Sequence, residues 1–387
     1  MKFYMIAGEP SGDRLGASLI KGLDGSLCKP ADFCGVGGPL MIDLGLESLF
    51  PMEDIAIMGI GEILSNYRFL KKRVAETAKA VIAASPDALI TVDAPEFNLR
   101  VAELVKKKID IPHIHYVAPS VWAWRPKRAI KMAKYVDHVL ALLPFEPHYM
   151  HEAGMSCDFV GHPVVEEPVA TLNEAAAFRK CYDIGDAPLV LCLPGSRSSE
   201  IKYLAPIFGR TLAKLKAELP QTVIVVPAAV SVVTEVYEQV AKWKDDVIIL
   251  DPRDQNSDQA ISHKRAAFRA ADVALAASGT VSLELAANET PMVIGYNMGF
   301  LSRLVIGQMV KTDTFTLVNL VSGTRCVPEF IGKKCSPAYL ASALLKTLAS
   351  PCDQLAAMQI TMDLLGRKQH PPGERAAASI LNFLKSR

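Results

Sequence analysis

Short apolar runs alternate with longer helical patterns along almost the entire chain, and this alternation limits the fold more than any other feature. Strand-like runs occupy residues 3–7, 88–93, 113–117, 138–143 and 158–160. Helical patterns at 14–23, 67–84 and 98–108 separate them. Strands that read as continuously apolar are buried on both faces, which calls for a parallel sheet covered by helices on each side. Residues 161–168, rich in Pro, Val and Glu, form a hinge-like break. The alternation restarts at 189–193, 223–227, 247–250, 273–276 and 292–296, and closes with helices, the last over 375–385. The pattern predicts an α/β chain of two doubly wound, Rossmann-like domains facing a cleft. Residues 1–165 form the first domain and 166–365 the second, while a helix within 366–387 packs back on the first. In such sheets ligands bind beyond the carboxyl ends of the strands, so the βα loops are where chemistry is sought.

The 387 residues carry 42 Lys and Arg against 41 Asp and Glu. That balance argues against a nucleic-acid partner, which wants a basic excess. Eight cysteines occur singly, with no C-x-x-C pair, a usage that fits a reducing compartment rather than a disulfide or zinc framework. Met1 leads straight into strand-like sequence, and no run of about 18 apolar residues occurs. A cytoplasmic protein is expected, with any membrane contact peripheral.

The first βα turn reads Ala7-Gly8-Glu9-Pro10-Ser11-Gly12-Asp13. Glycines allow close backbone approach, and a helix N-terminus offers N–H groups to an anion or a sugar hydroxyl. The same residues also read as a tight turn with Ser11 or Asp13 capping the helix, although a turn alone has no need of Glu9. The spacing is neither a Walker loop nor a full G-x-G-x-x-G. Gly35-Val36-Gly37-Gly38 and Gly59-Ile60-Gly61 do not complete one either, so a nicotinamide cofactor is discounted. Further on, Asp93-Ala94-Pro95-Glu96-Phe97-Asn98 gathers two carboxylates and an amide at a strand end. Asp93 there is placed to take a proton from a hydroxyl; Asp93 or Asn98 as a helix cap is the plainer alternative.

In the second half, Leu193-Pro194-Gly195-Ser196-Arg197 follows a buried strand and precedes a helix. A small-residue loop at a helix N-terminus binds phosphate, and Arg197 adds a bidentate, charge-assisted grip; an exposed Arg in an ordinary loop would look the same. Ser278-Gly279-Thr280 repeats the arrangement. Glu284, one turn into its helix, either reaches back to a ribose or is a solvated helix-face carboxylate. Two such loops in one domain predict a nucleoside diphosphate site. No Asp-x-Asp pair occurs, and His113-x-His115 reads as core or hydrogen-bonding rather than ligating, so no metal is expected.

Residues 57–70 are apolar and aromatic, with Ile57, Met58, Ile60, Ile63, Leu64, Tyr67, Phe69 and Leu70, and run into Lys71, Lys72 and Arg73. Trp122-Ala123-Trp124-Arg125-Pro126-Lys127-Arg128 continues as a basic helix with Lys131 and Lys134. Apolar side chains and tryptophans beside cations suit an anionic membrane interface. Each stretch alone also fits an amphipathic helix packed on the sheet.

Together these motifs resemble the lipid-A-disaccharide synthases, a family of inverting glycosyltransferases with the GT-B fold. The resemblance spans almost the whole chain. It rests on the segments at 7–13, 93–98, 115–125, 193–197 and 277–280, with Lys311-Thr312-Asp313 and Asn319-Leu320 also fitting. Glu96 stands where Asp is common, and the loop after Gly161-His162 differs. The resemblance implies UDP-2,3-diacylglucosamine as donor and 2,3-diacylglucosamine 1-phosphate (lipid X) as acceptor, with no cofactor. UDP and a β-1,6-linked disaccharide 1-phosphate would be the products. It also implies a homodimer attached peripherally to the inner membrane. On it, the first domain binds the acceptor and faces the membrane, with Asp93 as the base, Glu9 as second candidate, and Gly8, Ser11, Gly12 and Asn98 around the acceptor. The second domain would hold UDP through Gly195, Ser196, Arg197, Ser278, Gly279, Thr280, Glu284 and Asn319, with Arg197 also serving catalysis. Two other functions compete. A UDP-sugar 2-epimerase would need no apolar, basic surface, and a non-catalytic membrane-surface sensor of UDP-sugars would need no carboxylate at the strand tip.

Overall fold

The computed structural model describes residues 1–55, 67–122, 127–297 and 313–387. The chain divides into two compact units, Met1–Glu166 with Leu365–Arg387, and Glu167–Leu364. The first contains β1 (Lys2–Ala7), β2 (Asp32–Val36), β3 (Glu47–Ser48), β4 (Ala88–Val92), β5 (His113–Tyr116), β6 (His138–Ala141) and β7 (Ser156–Phe159). Its helices before the break are α1 (Pro10–Ser26), α2 (Pro39–Ile42), α3 (Tyr67–Ala84), α4 (Pro95–Lys106), α5 (Lys127–Met132) and α6 (Glu146–Glu152). The second contains β8 (Leu189–Leu193), β9 (Val223–Pro227), β10 (Ile248–Leu250), β11 (Val273–Ala276), β12 (Met292–Tyr296) and β13 (Glu329–Ile331). Around these lie α7 (Leu172–Cys181), α8 (Ser198–Glu218), α9 (Val233–Val240), α10 (Ser257–Ala270), α11 (Val281–Ala287), α12 (Leu317–Ser322), α13 (Pro337–Ala349) and α14 (Cys352–Leu364). The chain then returns to the first unit as α15 (Pro372–Ser386).

Both sheets are parallel. The first has the order β3-β2-β1-β4-β5-β6-β7 and the second β10-β9-β8-β11-β12-β13. In each, the opening strand lies between the second and the fourth, so the order reverses beside it: Ile6 pairs with Val36 on one side and with Thr91 on the other. Successive residues of a strand point to opposite faces. Phe3, Met5 and Ala7 accordingly pack with Leu19, Leu23 and Ile380, while Tyr4 and Ile6 pack with Val74, Val81 and Val101. Fully burying a large apolar side chain contributes about 1.5–3 kcal/mol, and β4 and β8 are buried at every position.

Three strands escape the apolar pattern. β2 opens on Asp32 and contains Gly35, β3 has two residues, and β13 has three. Helices also begin earlier than periodicity alone predicts, at Pro10, Pro95 and Pro372. Proline is favoured in a first turn because its fixed φ and missing N–H cost nothing there.

α15 is tied to the first sheet by polar bonds as well as packing. Ser379 Oγ donates to Asp158 Oδ2 (2.6 Å) and so accepts from His138 Nε2 (2.8 Å), while His138 Nδ1 accepts from Ser156 Oγ (2.9 Å). The His138 ring stacks on Phe383, 4.8 Å between centroids. Among the described residues no helix is long and apolar enough to cross a membrane.

Asp13 settles one alternative left open by the first turn. It is buried, and its carboxylate accepts from the amides of Gly38 (3.0 Å), Leu40 (3.0 Å) and Met41 (3.1 Å), so it caps α2 rather than its own helix. Asp13→Ala leaves the Gly38 and Met41 amides buried without an acceptor. It should lower unfolding free energy by about 2–3 kcal/mol, read as a shift in the denaturant midpoint. An unchanged midpoint would mean that water replaces the carboxylate.

Candidate functional site

At the carboxyl edge of the first sheet the reversal brings the loops after β1 and β4 against each other. A Cβ on Gly8 would lie 2.8 Å from Ala94 Cβ, so only glycine permits this approach. Gly12 is buried at the start of α1, Ser11 is exposed, and Glu9 is the partly buried N-cap residue. Past β4 the backbone enters the left-handed region twice in succession, at Asp93 (φ 50°) and Ala94 (φ 41°), and again past β5 at Val117 (φ 85°). Such conformations cost about 1–3 kcal/mol each and cluster where function fixes geometry. The turn ends β4 at Val92, one residue before its apolar run predicts, and lifts Asp93 onto the rim. Asn98, fully buried, donates to the Asp93 carbonyl (2.7 Å) and fixes the turn from below. It is therefore a support for Asp93. Burial pushes the Asp93 carboxyl above the usual carboxylate range, with the Ala94 amide and Arg128 opposing. Glu96 is exposed and pairs with Arg128 at 2.7 Å.

Two other buried groups are structural. His113 Nε2 and His115 Nδ1 both bond Thr91 Oγ1 (2.8 and 2.7 Å), and His113 Nδ1 donates to Tyr135 O (2.8 Å). Burial pushes the two imidazoles down to about 4 and about 3. Glu146 accepts from Leu142 and Leu143 N–H (3.1 and 3.0 Å) and closes the turn after β6, where burial pushes it up to about 7.

In the second unit a cavity of ≈ 520 Å³ opens at the carboxyl ends of β8, β9 and β11. Gly195, Ser196 and Arg197 line it together with Ser278, Gly279, Thr280 and Glu284. Gly195 has φ +122°, and a Cβ there would meet Glu200 Oε2 at 2.4 Å. Glu200 folds back so that its Oε2 accepts from Ser196 N–H (3.0 Å), which means one amide expected for a phosphate is already taken. Ser231 Oγ donates to Ser196 O (3.2 Å) and Ser198 Oγ to Glu235 (2.8 Å), bracing the loop against the segment after β9. Arg197 is exposed at the mouth, and Gly279, at φ +153°, has open space where a Cβ would stand. Ser282 Oγ donates to Gly279 O (2.8 Å) and holds that turn.

Periodicity and motif reading missed Glu200, Lys264, Phe268 and the 228–230 segment, all of which line this cavity. Lys264 lies mid-helix with no local motif; only the strand order, which puts α10 beside α11, could have pointed to it. Lys264 Nζ lies 2.6 Å from Glu284 Oε2, so Glu284 is a paired, partly exposed carboxylate. A second, largely apolar recess of ≈ 110 Å³ adjoins, sharing Pro227, Ala228, Pro252 and Lys264.

Asn319 is not among the residues that line this cavity. Its amide donates to Val327 O (2.9 Å) and Glu329 Oε1 (2.8 Å) and accepts from Val327 N–H (3.0 Å), fastening α12 to the segment entering β13.

The basic run after residue 70 also differs from expectation at one position. Arg73 is ion-paired with Asp54 and with Glu76 (2.8 Å), and its guanidinium lies over the Phe50 and Phe69 rings at 4.3 and 5.1 Å. It is an anchor for α3, not an exposed cation. Tyr67 (49 % exposed) and Phe69 (39 %) stay partly open to solvent, as do Lys71 and Lys72, and Leu70 is half-buried. Ile63 and Leu64 lie outside the described residues, as does Trp124. Trp122 packs edge-on against Phe145, 5.4 Å between centroids, so it belongs to the fold.

Comparison with known proteins adds an independent constraint. A family profile described as lipid-A-disaccharide synthetase matches residues 3–380. A lipid-A-disaccharide synthase of Ruegeria pomeroyi is 55% identical over 384 residues, covering 99% of this chain and 96% of that protein. One of Rhodospirillum centenum is 42% identical over 389 residues, covering 99% and 95%. Among solved structures, a UDP-GlcNAc 2-epimerase from Neisseria meningitidis bound to UDP-GlcNAc gives a TM-score of 0.63 at 10% identity, with both chains covered completely. At that identity the likeness is one of fold.

Proposed function

The chain belongs to the lipid-A-disaccharide synthase family, and from that premise we propose how its residues divide the work. It is a UDP-sugar-dependent glycosyltransferase of lipid A biosynthesis, with the two-sheet α/β fold shared by GT-B enzymes. The donor is UDP-2,3-diacylglucosamine and the acceptor 2,3-diacylglucosamine 1-phosphate. The observation that carries the assignment of the nucleotide is the cavity at the reversal of the second sheet, where Arg197 and Glu284 meet around two small-residue turns. Arg197 grips the diphosphate, Ser196, Ser278 and Thr280 flank it, and Gly195 and Gly279 admit it. Glu284 accepts from the ribose hydroxyls, and the smaller apolar recess accommodates the base.

The first unit, Met1–Glu166 with the returning Leu365–Arg387, carries the acceptor and the base. Asp93 accepts the proton of the acceptor 6-hydroxyl as that oxygen attacks the anomeric carbon. The bond from that carbon to the UDP oxygen breaks on the opposite side, and the α-linkage becomes β. Burial supports this role, because a base with a raised pKa holds the transferred proton more firmly. Glu9, on the neighbouring loop, is the second candidate. Arg197 stabilises the charge that develops on the departing UDP.

An epimerase shares the fold, but the epimerase likeness stands at 10% identity against 55% for a synthase. A sensor without catalysis would have no use for the strained turn that holds Asp93 at the rim. Peripheral attachment to the inner-membrane surface is supported by the exposed aromatic side chains of Tyr67 and Phe69 beside Lys71 and Lys72, and by Ile130, 60 % exposed, between Lys127, Lys131 and Lys134. A homodimer is part of the same proposal.

Asp93→Asn should lower kcat by roughly 10²–10⁴-fold with UDP affinity unchanged. The wild-type pH–rate profile should show an acid limb above the usual carboxylate range that the variant lacks. Near-normal turnover would remove Asp93 as the base and move the role to Glu9. Arg197→Ala should weaken UDP binding roughly 10–100-fold by titration calorimetry, and an unaltered affinity would take it out of the site. Replacing Ile63, Leu64, Phe69 and Leu70 with Ser should move the protein from the membrane fraction to the soluble one without detergent; unchanged partition would make the segment core. Sedimentation velocity should give twice the mass of one chain, and a monomer would end the dimer proposal.

A further inference from the structure

Four charged side chains line the large cavity of the second unit: Arg197, Glu200, Lys264 and Glu284. Glu200 is committed to the Ser196 amide. Lys264 reaches from α10 to α11, with Nζ 2.6 Å from Glu284 Oε2, and lies 5.1 Å from the centroid of the Phe268 ring one helical turn on. The paired side chains are 45% and 31% exposed. A pair so open to solvent adds little to folding, so stability does not explain its presence. It stands instead on the wall where a nucleotide would rest, and Lys264 alone of the four also borders the smaller recess.

We propose that Lys264 is a positioning residue for nucleotide recognition. Its ammonium holds Glu284 by Oε2 so that the remaining oxygen presents to the ribose hydroxyls. The same contact cancels the charge of Glu284, so a diphosphate does not enter against two carboxylates with Arg197 as the sole opposing cation. Phe268, buried beneath, keeps the lysine stem along the wall. This inference rests on Glu284 being the ribose-binding group.

Calorimetric titration of the full chain with UDP and with 2′-deoxy-UDP tests it, using wild type, Lys264→Met and Lys264→Arg. Wild type should prefer UDP about tenfold, the scale of one charge-assisted hydrogen bond. Lys264→Met should bind UDP about tenfold more weakly and lose most of that preference, with its thermal midpoint unchanged. Lys264→Arg should recover the preference. If wild type discriminates and Lys264→Met discriminates equally, Lys264 does not position Glu284, while the ribose assignment survives. If wild type itself binds the two nucleotides alike, the ribose assignment fails and this inference falls with it. A lowered midpoint with the preference intact would make Lys264 a structural residue and overturn the proposal.

Discussion

Everything at the two candidate sites depends on the reversal of strand order beside the opening strand of a parallel sheet. Right-handed crossovers send the connections on either side of that strand to opposite faces. The loops leaving β1 and β4, and those leaving β8 and β11, therefore emerge side by side. A crevice at the carboxyl edge is the topological outcome, whatever residues fill it. The residues then specialise it: Gly8 against Ala94 in one unit, and the turns at 195–197 and 278–280 in the other.

Specialisation is uneven. The first rim is built from backbone strain, with left-handed Asp93, Ala94 and Val117 held by strands that are buried along their whole length. A β-branched residue in that conformation is a genuine outlier, and it persists because Val117 N–H is locked to Leu140 O at 3.0 Å. The second rim is built from charge, with Glu284 engaged by Lys264, Glu200 by the Ser196 amide, and Arg197 exposed at the mouth. A rigid rim suits the placing of a single base. A charged one suits a ligand that arrives with its own countercharge and must exchange partners.

Much of this was legible in the sequence because it is local. A buried strand, a small-residue turn and a helix are contiguous, so Gly195, Arg197, Gly279 and Asp93 announce themselves by position. What escaped is non-local. Arg73 looked like part of an exposed basic run because its partners Asp54 and Phe50 lie on another segment. Asn319 reads as a pocket amide, and its bonds to Val327 and Glu329 form only once β13 is in place. Lys264 became visible only through its ion pair with Glu284 on the next helix. β2, β3 and β13 were too short or too polar for period-2 alternation to register, and the early starts of α1, α4 and α15 were written in prolines that periodicity does not count.

The return of the chain into its first unit has a consequence for how the protein is made. Glu167–Leu364 is an insertion, complete in sequence before Leu365 exists, while the first unit lacks α15 until Pro372–Ser386 has been made. Domains form as units during synthesis, and here the amino-terminal unit can be finished only after the segment inserted in it has been made. The apolar flank of α1 at Leu19 and Leu23, packed on β1, gains Ile380 as its last neighbour along the chain. The first unit therefore closes only after the whole of the second has been made, with α1 and α15, from opposite ends of the sequence, packed in one layer.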